Sequence, residues 1–205
     1  MLKDKTIVEF LKATASSDPV PGGGSIAALS AGLAASLGEM VSHLTTGREK
    51  FADVEEEMLA LAEIFNKKQT AFIQAIDEDA ASFDGVMQAF KLPKDTEEEK
   101  ALRKEAIQRQ MKAAAEVPMA VAEACLEMMP PIETIVTKGN PNAVTDGAVA
   151  AMMCRTAGLS ALLNVRINLG SIKDEAYVTA MTLTCNTVES RLLEAEQAIV
   201  GKVNL

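Results

Sequence analysis

An uninterrupted run over residues 53–90 constrains the fold more than any other part of the 205-residue sequence. The run contains no proline and a single glycine, Gly85. An unbroken helix of this span is about 57 Å long, whereas a compact domain of this size has a radius of gyration of about 17 Å. The helix must therefore bend, break or extend towards a second subunit, and the last option indicates a homodimer. Its apolar residues recur three and four positions apart, as in an amphipathic helix: Met58, Leu61, Ala62, Phe65, Phe72, Ile73, Ile76, Ala80 and Phe83.

The amino-acid composition also favours an all-helical protein. Hydrophobic residues make up 48% of the chain and aromatic residues only 3%, so the core must consist of Ala, Leu, Val, Ile and the 11 Met. Ala and Leu are strong helix formers, and no segment shows the alternation typical of a strand. No internal repeat and no long linker divides the chain. The sequence predicts one all-α domain over residues 1–205, a bundle of about six helices with long antiparallel members.

Caps and breakers give the predicted helix boundaries. Thr6 and Glu9 form a capping box before the first helix, and the acidic residues after Thr96 suit the start of the fourth. We expect Pro118 to kink or divide that helix, and we expect Pro130 and Pro131 to end it. The predicted helices span residues 6–15, 25–44, 53–90, 96–129, 143–169 and 171–200.

The charge balance excludes one class of partner. The net charge is −9, and binding to phosphate backbones needs a basic surface. Aromatic side chains that could stack on single-stranded bases are scarce as well. We therefore expect no nucleic-acid partner, although a small anionic ligand remains compatible with a local positive pocket.

Cysteine and histidine usage excludes a common metal site. The three cysteines, Cys125, Cys154 and Cys185, are odd in number and widely spaced, as is typical of a reduced cytoplasmic chain. We expect these thiols to pack in the core. His43 is the single histidine, so a zinc site of the usual kind lacks ligands and we predict no metal. We interpret His43 as a packed helical residue rather than a base.

The helix over residues 25–44 is about as long as a membrane span. It contains Glu39 and His43 and many small polar residues, so we interpret it as a buried helix of a bundle. The first ten residues lack the apolar run of a secretion signal. We therefore expect a cytoplasmic protein without a membrane partner.

Three consecutive glycines, Gly22, Gly23 and Gly24, lead directly into this helix. They are compatible with a tight turn, with close packing of another backbone, or with a concave set of backbone amides that binds an anion or a developing negative charge. The segment is neither a Walker loop nor a dinucleotide fingerprint, because the required spacing and the preceding strand are missing. Two further polar loops, "FKLPK" and "KGNPNAVTDG", suggest a pocket shared by all three.

At this point the chain resembles the cyclodeaminase/cyclohydrolase family of folate one-carbon metabolism. The matching stretches occur in the family's order and cover nearly the whole chain: "PVPGGGSIAALSAGLAASLGEMVSHLT", "DEDAASFDGVMQAFKLPK", "EEKALRKEAIQ", "VPMAV", "GNPNAVTDGAVAA" and "NVRINLGSIKD". The resemblance implies an all-helical subunit that dimerises, and a pterin-binding cleft built from these loops. It implies a tetrahydrofolate derivative as substrate, possibly polyglutamylated, and no cofactor beyond it.

The chemistry of such a family needs proton transfer at a tetrahedral carbon between two nitrogens. With histidine nearly absent, we predict Asp79, Lys91 and Asp146 as catalytic residues. A partly buried Asp79 would have a raised pKa and could donate a proton near neutrality. From the sequence alone, a solvated surface position for Asp79, a helix-end position for Lys91 and helix capping by Asp146 are the simpler interpretations.

Further residues are predicted to bind substrate. Gly22, Gly23, Gly24 and Ser25 would form a backbone wall, and Asp84 lies on the same helical face as Asp77, seven residues away.

Lys94, with Lys91, could hold the glutamate tail of folate. Asn140 and Asn142 offer donors and acceptors to a pterin, or simply build a turn around Pro141. Asn164 and Asn168 lie four apart on one face of an apolar helix, where they line the cleft or bridge helices.

The favoured function is a formiminotetrahydrofolate cyclodeaminase. The first alternative is a methenyltetrahydrofolate cyclohydrolase, which passes through the same kind of intermediate. The second is a non-catalytic helical module that binds a folate or another protein.

Overall fold

The computed structural model describes residues 1–204 and consists of helices joined by short connections, with no strand in this part of the chain. This confirms the predicted all-α class. Three short 3-10 turns lie at Leu2–Asp4, Glu49–Phe51 and Pro141–Ala143. The α-helices are α1 (Ile7–Thr14), α2 (Gly23–Thr45), α3 (Glu55–Phe90), α4 (Glu97–Lys138), α5 (Val144–Leu169) and α6 (Glu175–Val200).

Helix starts follow the predicted caps. Thr6 and Thr96 each accept a hydrogen bond from the third residue of the helix, and Glu9 and Glu99 bond back to them, so both capping boxes are formed. Asp174 caps α6 by accepting from the backbone N–H of Tyr177. Each box satisfies amides that the first turn of a helix leaves without partners.

The predicted end of the fourth helix is wrong. α4 contains Pro118, Pro130 and Pro131 within its 42 residues and continues to Lys138, a length of about 63 Å. A proline inside a helix removes one hydrogen bond and crowds the preceding turn. The apolar face on either side of the proline pair is fully buried in the core, and this tertiary packing outweighs the local preference.

α2 is the central helix, and α3 and α5 pack against it in antiparallel directions. Ser25 contacts Ile76 and Asp79 near the start of α2, whereas Glu39 bonds to Asn66 further along, so α3 runs the opposite way. The small residues of α2 make this packing possible. A Cβ built on Gly38 would lie 2.6 Å from the Phe65 ring, and the alanines facing the core are fully buried.

The two ends of α2 therefore mark two opposite ends of the bundle. Gly23 begins the helix beside Asn164 of α5. At the other end, Asn140 bonds to Leu44 and Thr45. These two ends are about 33 Å apart, the length of 22 residue steps along a helix.

Two segments, Gly23–Thr45 and Pro141–Leu169, are long and apolar enough to cross a membrane by length and composition alone. About half of each apolar window is buried inside the bundle, and the core helices of a soluble protein have the same composition. The three cysteines are free and buried, which confirms their predicted place in the core.

Candidate functional site

A cleft of about 430 Å³ lies at the end of the bundle where α2 begins. The loop before α2, the first turn of α2, and parts of α3, α4 and α5 form its walls. The lining residues are Pro19, Val20, Gly22, Gly23, Gly24, Asp79, Ser82, Phe83, Val86, Met87, Phe90, Met111, Ala114, Asn164, Ile167 and Asn168.

One face of α3 supplies the longest wall. Its lining residues begin at Asp79 and recur at three- and four-residue intervals to Phe90, which is the spacing of one helical face. Phe83, Met87 and Phe90 remain more than a third exposed. They give the cleft an apolar surface that can pack against a flat ring system.

Asp79 is the only ionisable side chain among the lining residues within 1–204. Its Oδ2 accepts a hydrogen bond of 2.9 Å from the Ser25 hydroxyl. Burial raises the pKa of Asp79, because the charged form loses hydration, and the hydrogen bonds from Ser25 act against this rise. A carboxyl group with a raised pKa in a cleft is a candidate general acid or base.

Gly24 allows the backbone of α2 to approach this carboxyl group closely. A Cβ built on Gly24 would lie 2.0 Å from Asp79 Oδ1, and one built on Gly23 would lie 3.1 Å from Asn164 Nδ2. Side chains at either position would therefore displace polar groups of the cleft. Gly23 and Gly24 thus allow side chains of α5 and α3 to approach α2 closely, rather than another backbone. The backbone amides of the first turn of α2 lie at the same wall.

Asn164 and Asn168 line the opposite side. Their side-chain NH₂ groups donate to backbone oxygens: Asn164 to Ser160 at 2.9 Å, and Asn168 to Ala114 at 2.8 Å and Asn164 at 3.0 Å. These bonds fix both amides and bridge α5 to α4. They leave the two side-chain oxygens as hydrogen-bond acceptors at the cleft.

The structure thus brings one group of predicted residues together. Gly22, Gly23, Gly24, Asp79, Asn164 and Asn168 all line the cleft, and Ser25 contacts Asp79 from behind the wall. Ser25 is fully buried, so its hydroxyl faces Asp79 and α3 rather than the open cleft.

A second predicted group lies elsewhere in the protomer. Asn140 is 5% exposed and donates to the Leu44 carbonyl at 2.9 Å, while its own N–H donates to Thr45. Asn142 donates its N–H to the Asn140 side chain, and Asp146 lies in the first turn of α5. All three are near the other end of α2, about 33 Å from Gly23. The expected single hollow is therefore not formed by all three loops within one protomer, because α2 separates them by its full length.

Three further predicted residues are exposed and outside the lining: Asp84, Lys91 and Lys94. Asp84 follows Phe83, and one residue step turns it by about 100° from the lining face. Lys91 caps the end of α3 directly after Phe90, so it is near the rim of the cleft. Their roles in binding or catalysis stay predictions.

Sequence reasoning missed several wall residues. The sequence predicts Phe83 only as part of the apolar face of a helix. No sequence pattern indicates that Ser82, Met111 and Ile167 belong to a site. The positions three and four residues beyond Asp79 would have identified Ser82 and Phe83.

The expectation that His43 packs inside is wrong. Its side chain is 58% exposed, and its Nε2 lies 3.6 Å from Glu39 Oε1 one turn earlier. His43 is in the last turn of α2, and its side chain is accessible to solvent. Among residues 1–204, no three His, Cys, Asp or Glu side chains are grouped as metal ligands would be.

Known proteins resemble this chain along most of its length. It is 38% identical over 177 residues to a methenyltetrahydrofolate cyclohydrolase of Methylorubrum extorquens, covering 86% of this chain and 85% of that protein. It is 34% identical over 176 residues to a formimidoyltransferase-cyclodeaminase of Sus scrofa, covering 86% of this chain and 32% of that protein. The chain thus spans about a third of the length of this second relative.

A solved structure resembles the whole fold. The formiminotetrahydrofolate cyclodeaminase of Thermotoga maritima superimposes with a TM-score of 0.88 at 27% identity, covering 99% of this chain and 98% of the other. The names of these relatives are those of folate one-carbon enzymes. Residues 6–187 match the family described as formiminotransferase-cyclodeaminase, and the chain belongs to that family.

Proposed function

We propose that this protein is a formiminotetrahydrofolate cyclodeaminase, which closes 5-formimino-tetrahydrofolate to 5,10-methenyl-tetrahydrofolate and releases ammonia. The observation that carries the proposal is Asp79, a carboxyl group with a raised pKa in a cleft with an apolar wall. Departure of ammonia needs a proton donor, and burial keeps this carboxyl group protonated to higher pH than a solvated aspartate.

The proposed reaction balances in two steps. N10 of the folate forms a bond to the formimino carbon and gives up its proton. The electrons of the carbon–nitrogen double bond move to the formimino nitrogen, which takes up a proton and becomes an amino group, so the carbon becomes tetrahedral. The amino group then takes a further proton and leaves as ammonia with the electrons of its carbon–nitrogen bond, while a lone pair of N5 or N10 forms the double bond of the methenyl cation. Both steps make or break carbon–nitrogen bonds and transfer protons without a change of oxidation state, so no redox cofactor is required. We propose that no metal is required either.

The cleft residues fit separate parts of such a substrate. The apolar face around Phe83 and Phe90 offers packing for flat rings. Asn164 and Asn168 offer acceptors for the amino and ring N–H groups of a pterin. The backbone amides of Gly23 and its neighbours at the start of α2 suit the electron density that moves onto the formimino nitrogen when N10 attacks.

The lysines near the end of α3 suit the other end of the substrate. Lys91 and Lys94 are exposed and follow the last lining residue of α3, Phe90. We propose that they attract the carboxylates of the glutamate tail, which would extend out of the cleft into solvent. One or more additional glutamates would strengthen this attraction.

We further propose that the protein acts as a homodimer. α2 and α5 pack against each other, and each leaves an apolar stripe exposed. Such stripes at helical spacing favour contact with a second helical surface. In a dimer, Asn140, Asn142 and Asp146 could reach substrate only from the partner, because their own cleft is at the opposite end of α2. The stripe residues are Leu33, Met40 and Leu44 on α2 and Val149, Met152, Leu163 and Ile167 on α5.

The test supplies purified protein with 5-formimino-tetrahydrofolate and follows the absorbance of the methenyl product together with ammonia release. Stoichiometric appearance of both, lost in an Asp79→Asn variant, would support the proposal. If neither the methenyl product nor ammonia forms while calorimetry still shows folate binding, the protein is a binding module without turnover.

A second candidate reaction has its own support. The methenyltetrahydrofolate cyclohydrolase of Methylorubrum extorquens aligns over 85% of its length with this chain at 38% identity. In that reaction water attacks the methenyl carbon, and Asp79 would take the proton from water rather than donate one. Accelerated loss of methenyl absorbance at a pH where the compound is otherwise slow to hydrolyse would favour this candidate.

A further inference from the structure

We propose that Ser25 is a positioning residue that switches its hydroxyl proton between two acceptors and thereby sets the proton affinity of Asp79. The Ser25 Oγ lies 2.9 Å from Asp79 Oδ2 and 3.1 Å from the Ile76 carbonyl oxygen. A serine hydroxyl carries one proton and can donate to only one acceptor at a time. The inference rests on the proposed role of Asp79 in proton transfer.

The two acceptors differ in what they can do. The Ile76 carbonyl can only accept a hydrogen bond. Asp79 can only accept when ionised, but it can donate when protonated. Ser25 therefore donates to Asp79 in the ionised state. In the protonated state it accepts the Asp79 proton and turns its own proton towards Ile76.

This arrangement serves a group that must change its protonation state during each turnover. Neither state leaves a donor or acceptor of the pair without a partner, and an unpaired buried polar group is costly. The hydrogen bond to the ionised carboxylate is the stronger of the two because it is charge-assisted. Ser25 thus opposes part of the rise in the pKa of Asp79 that burial produces.

No other charged group competes for control of Asp79 in the part of the chain that the structure describes. α2 contributes the glycine backbone and Ser25, α4 contributes Met111 and Ala114, and α5 contributes two neutral amides. On α3 itself, Asp77 accepts from the Leu2 N–H, and Glu78 lines a separate groove beside Glu116. Within residues 1–204, Ser25 is therefore the residue that opposes the effect of burial on this carboxyl group, chiefly through its hydroxyl and to a smaller extent through its backbone N–H.

The position of Ser25 separates this role from substrate binding. Its side chain is fully buried and does not belong to the cleft lining. Removing its hydroxyl leaves the Ile76 carbonyl within the regular hydrogen bonding of α3. A Ser25→Ala variant should therefore fold, while the Asp79 carboxylate loses its charge-assisted partner.

A matched control exists on the same helix. Ser42 is also fully buried, and its hydroxyl donates to the Gly38 carbonyl at 2.9 Å. It is near the opposite end of α2 and contacts no cleft residue through this bond. Ser42→Ala thus removes the same atoms from an equally buried site without touching Asp79.

The experiment titrates the Asp79 carboxyl carbon by NMR in the full chain labelled with ¹³C-aspartate, without substrate. Absence of the signal in Asp79→Asn assigns it. In Ser25→Ala we expect the proton affinity of Asp79 to rise about tenfold, the size of one charge-assisted hydrogen bond, so the titration midpoint moves to higher pH. In Ser42→Ala we expect the midpoint of the parent protein.

A midpoint in Ser25→Ala that stays in place or moves to lower pH overturns the inference, as does an equal movement in Ser42→Ala. The same variants are then assayed for the pH dependence of turnover, where the limb belonging to Asp79 should move with the titration. If neither folate substrate is turned over, the proposed function fails, whereas the titration still decides the role of Ser25.

Discussion

The Cα of Gly24 lies so close to Asp79 that a methyl group on it would be 2.0 Å from the carboxylate oxygen Oδ1. The clashing atoms would be those of the Asp79 carboxyl group, at the end of a side chain that lines an open cleft. The carboxyl group could therefore swing away at small cost to stability, but it would leave the position where Ser25 holds it.

We predict that Gly24→Ala lowers kcat by about 100-fold, the effect of a displacement of about 1 Å in a catalytic group. The unfolding midpoint should change little, because alanine also favours the helix. Gly32→Ala is the matched control, since a Cβ there meets Phe72 at an ordinary 3.8 Å. Full activity in Gly24→Ala would show that this contact does not hold the carboxyl group for catalysis.

Asp79→Asn tests the carboxyl group itself. The amide keeps the shape and can still accept from Ser25, but it neither donates an acidic proton nor accepts one. We predict a loss of turnover of about 10²- to 10⁴-fold, the usual contribution of a general acid or base, with folate affinity by calorimetry within a few-fold of the parent. Glu78→Gln, an exposed neighbour on α3 outside the lining, should keep its activity.

The same substitution has a consequence for stability. Burial raises the pKa of Asp79 in the folded protein above its value in the unfolded protein. At a pH between these two pKa values, the folded state therefore binds more protons than the unfolded state. Stability contributed by this group is therefore present at low pH and is lost as pH rises through the folded pKa.

We predict that Asp79→Asn is more stable than the parent at neutral pH, and that the advantage disappears as pH falls below the unfolded pKa of aspartate. Urea unfolding of both proteins across this pH range measures the difference. A larger advantage at low pH than at neutral pH would contradict the sign of the pKa shift.

The sequence was sufficient for the fold class and for part of the site. Helix periodicity and caps gave six helices, and the segments around Gly24 and Asp79 were both identified. Their meeting follows from topology, because two long helices joined by a short connection run antiparallel. The start of α2, which contains Gly24, then lies beside the later part of α3, which contains Asp79.

The separation of Asn140 from the cleft within one protomer was not predicted, because the end of α4 was predicted wrongly. Ending that helix near Met129 left the position of the following loop undetermined. Because α4 actually continues to Lys138, it returns along α3 to the end where α2 finishes, and Lys138 bonds there to Glu57. No local pattern in the sequence predicts that a helix continues past two prolines because of packing in the core. The sequence therefore does not show that Asn140 lies at the opposite end of the protomer from Asp79.

The proposed dimer predicts a specific effect of charge on one exposed stripe. Leu163 on α5 is 65% exposed and Leu183 on α6 is 68% exposed, so each can accept a charge without disturbing the core. If α2 and α5 form the dimer surface, Leu163→Glu buries a charge in the complex and should weaken association more than tenfold.

Leu183→Glu is the control and should behave as the parent. Light scattering coupled to size-exclusion chromatography gives the mass of each protein over a range of concentrations. A parent protein that is monomeric throughout, or equal weakening by both substitutions, would rule out this surface.

Asn140 was predicted to bind substrate, and its contacts indicate a structural role as well. Its side chain donates to the Leu44 carbonyl and its N–H donates to Thr45, so it joins the loop before α5 to the end of α2. Asn140→Ala should destabilise the protein by about 0.5–1.5 kcal/mol, because the hydrogen bond from the buried Asn140 side chain to the Leu44 carbonyl is lost. Asn142 is exposed, and Asn142→Ala should change stability by less than about 0.5 kcal/mol.

Chemical denaturation measures both values, and the KM of each variant separates the two roles. An unchanged KM in Asn142→Ala, together with the loss of stability in Asn140→Ala, would assign this loop to folding alone. A raised KM in the stable Asn142→Ala variant would place the loop at a substrate. Since α2 holds it about 33 Å from its own cleft, that substrate would be bound by the partner subunit.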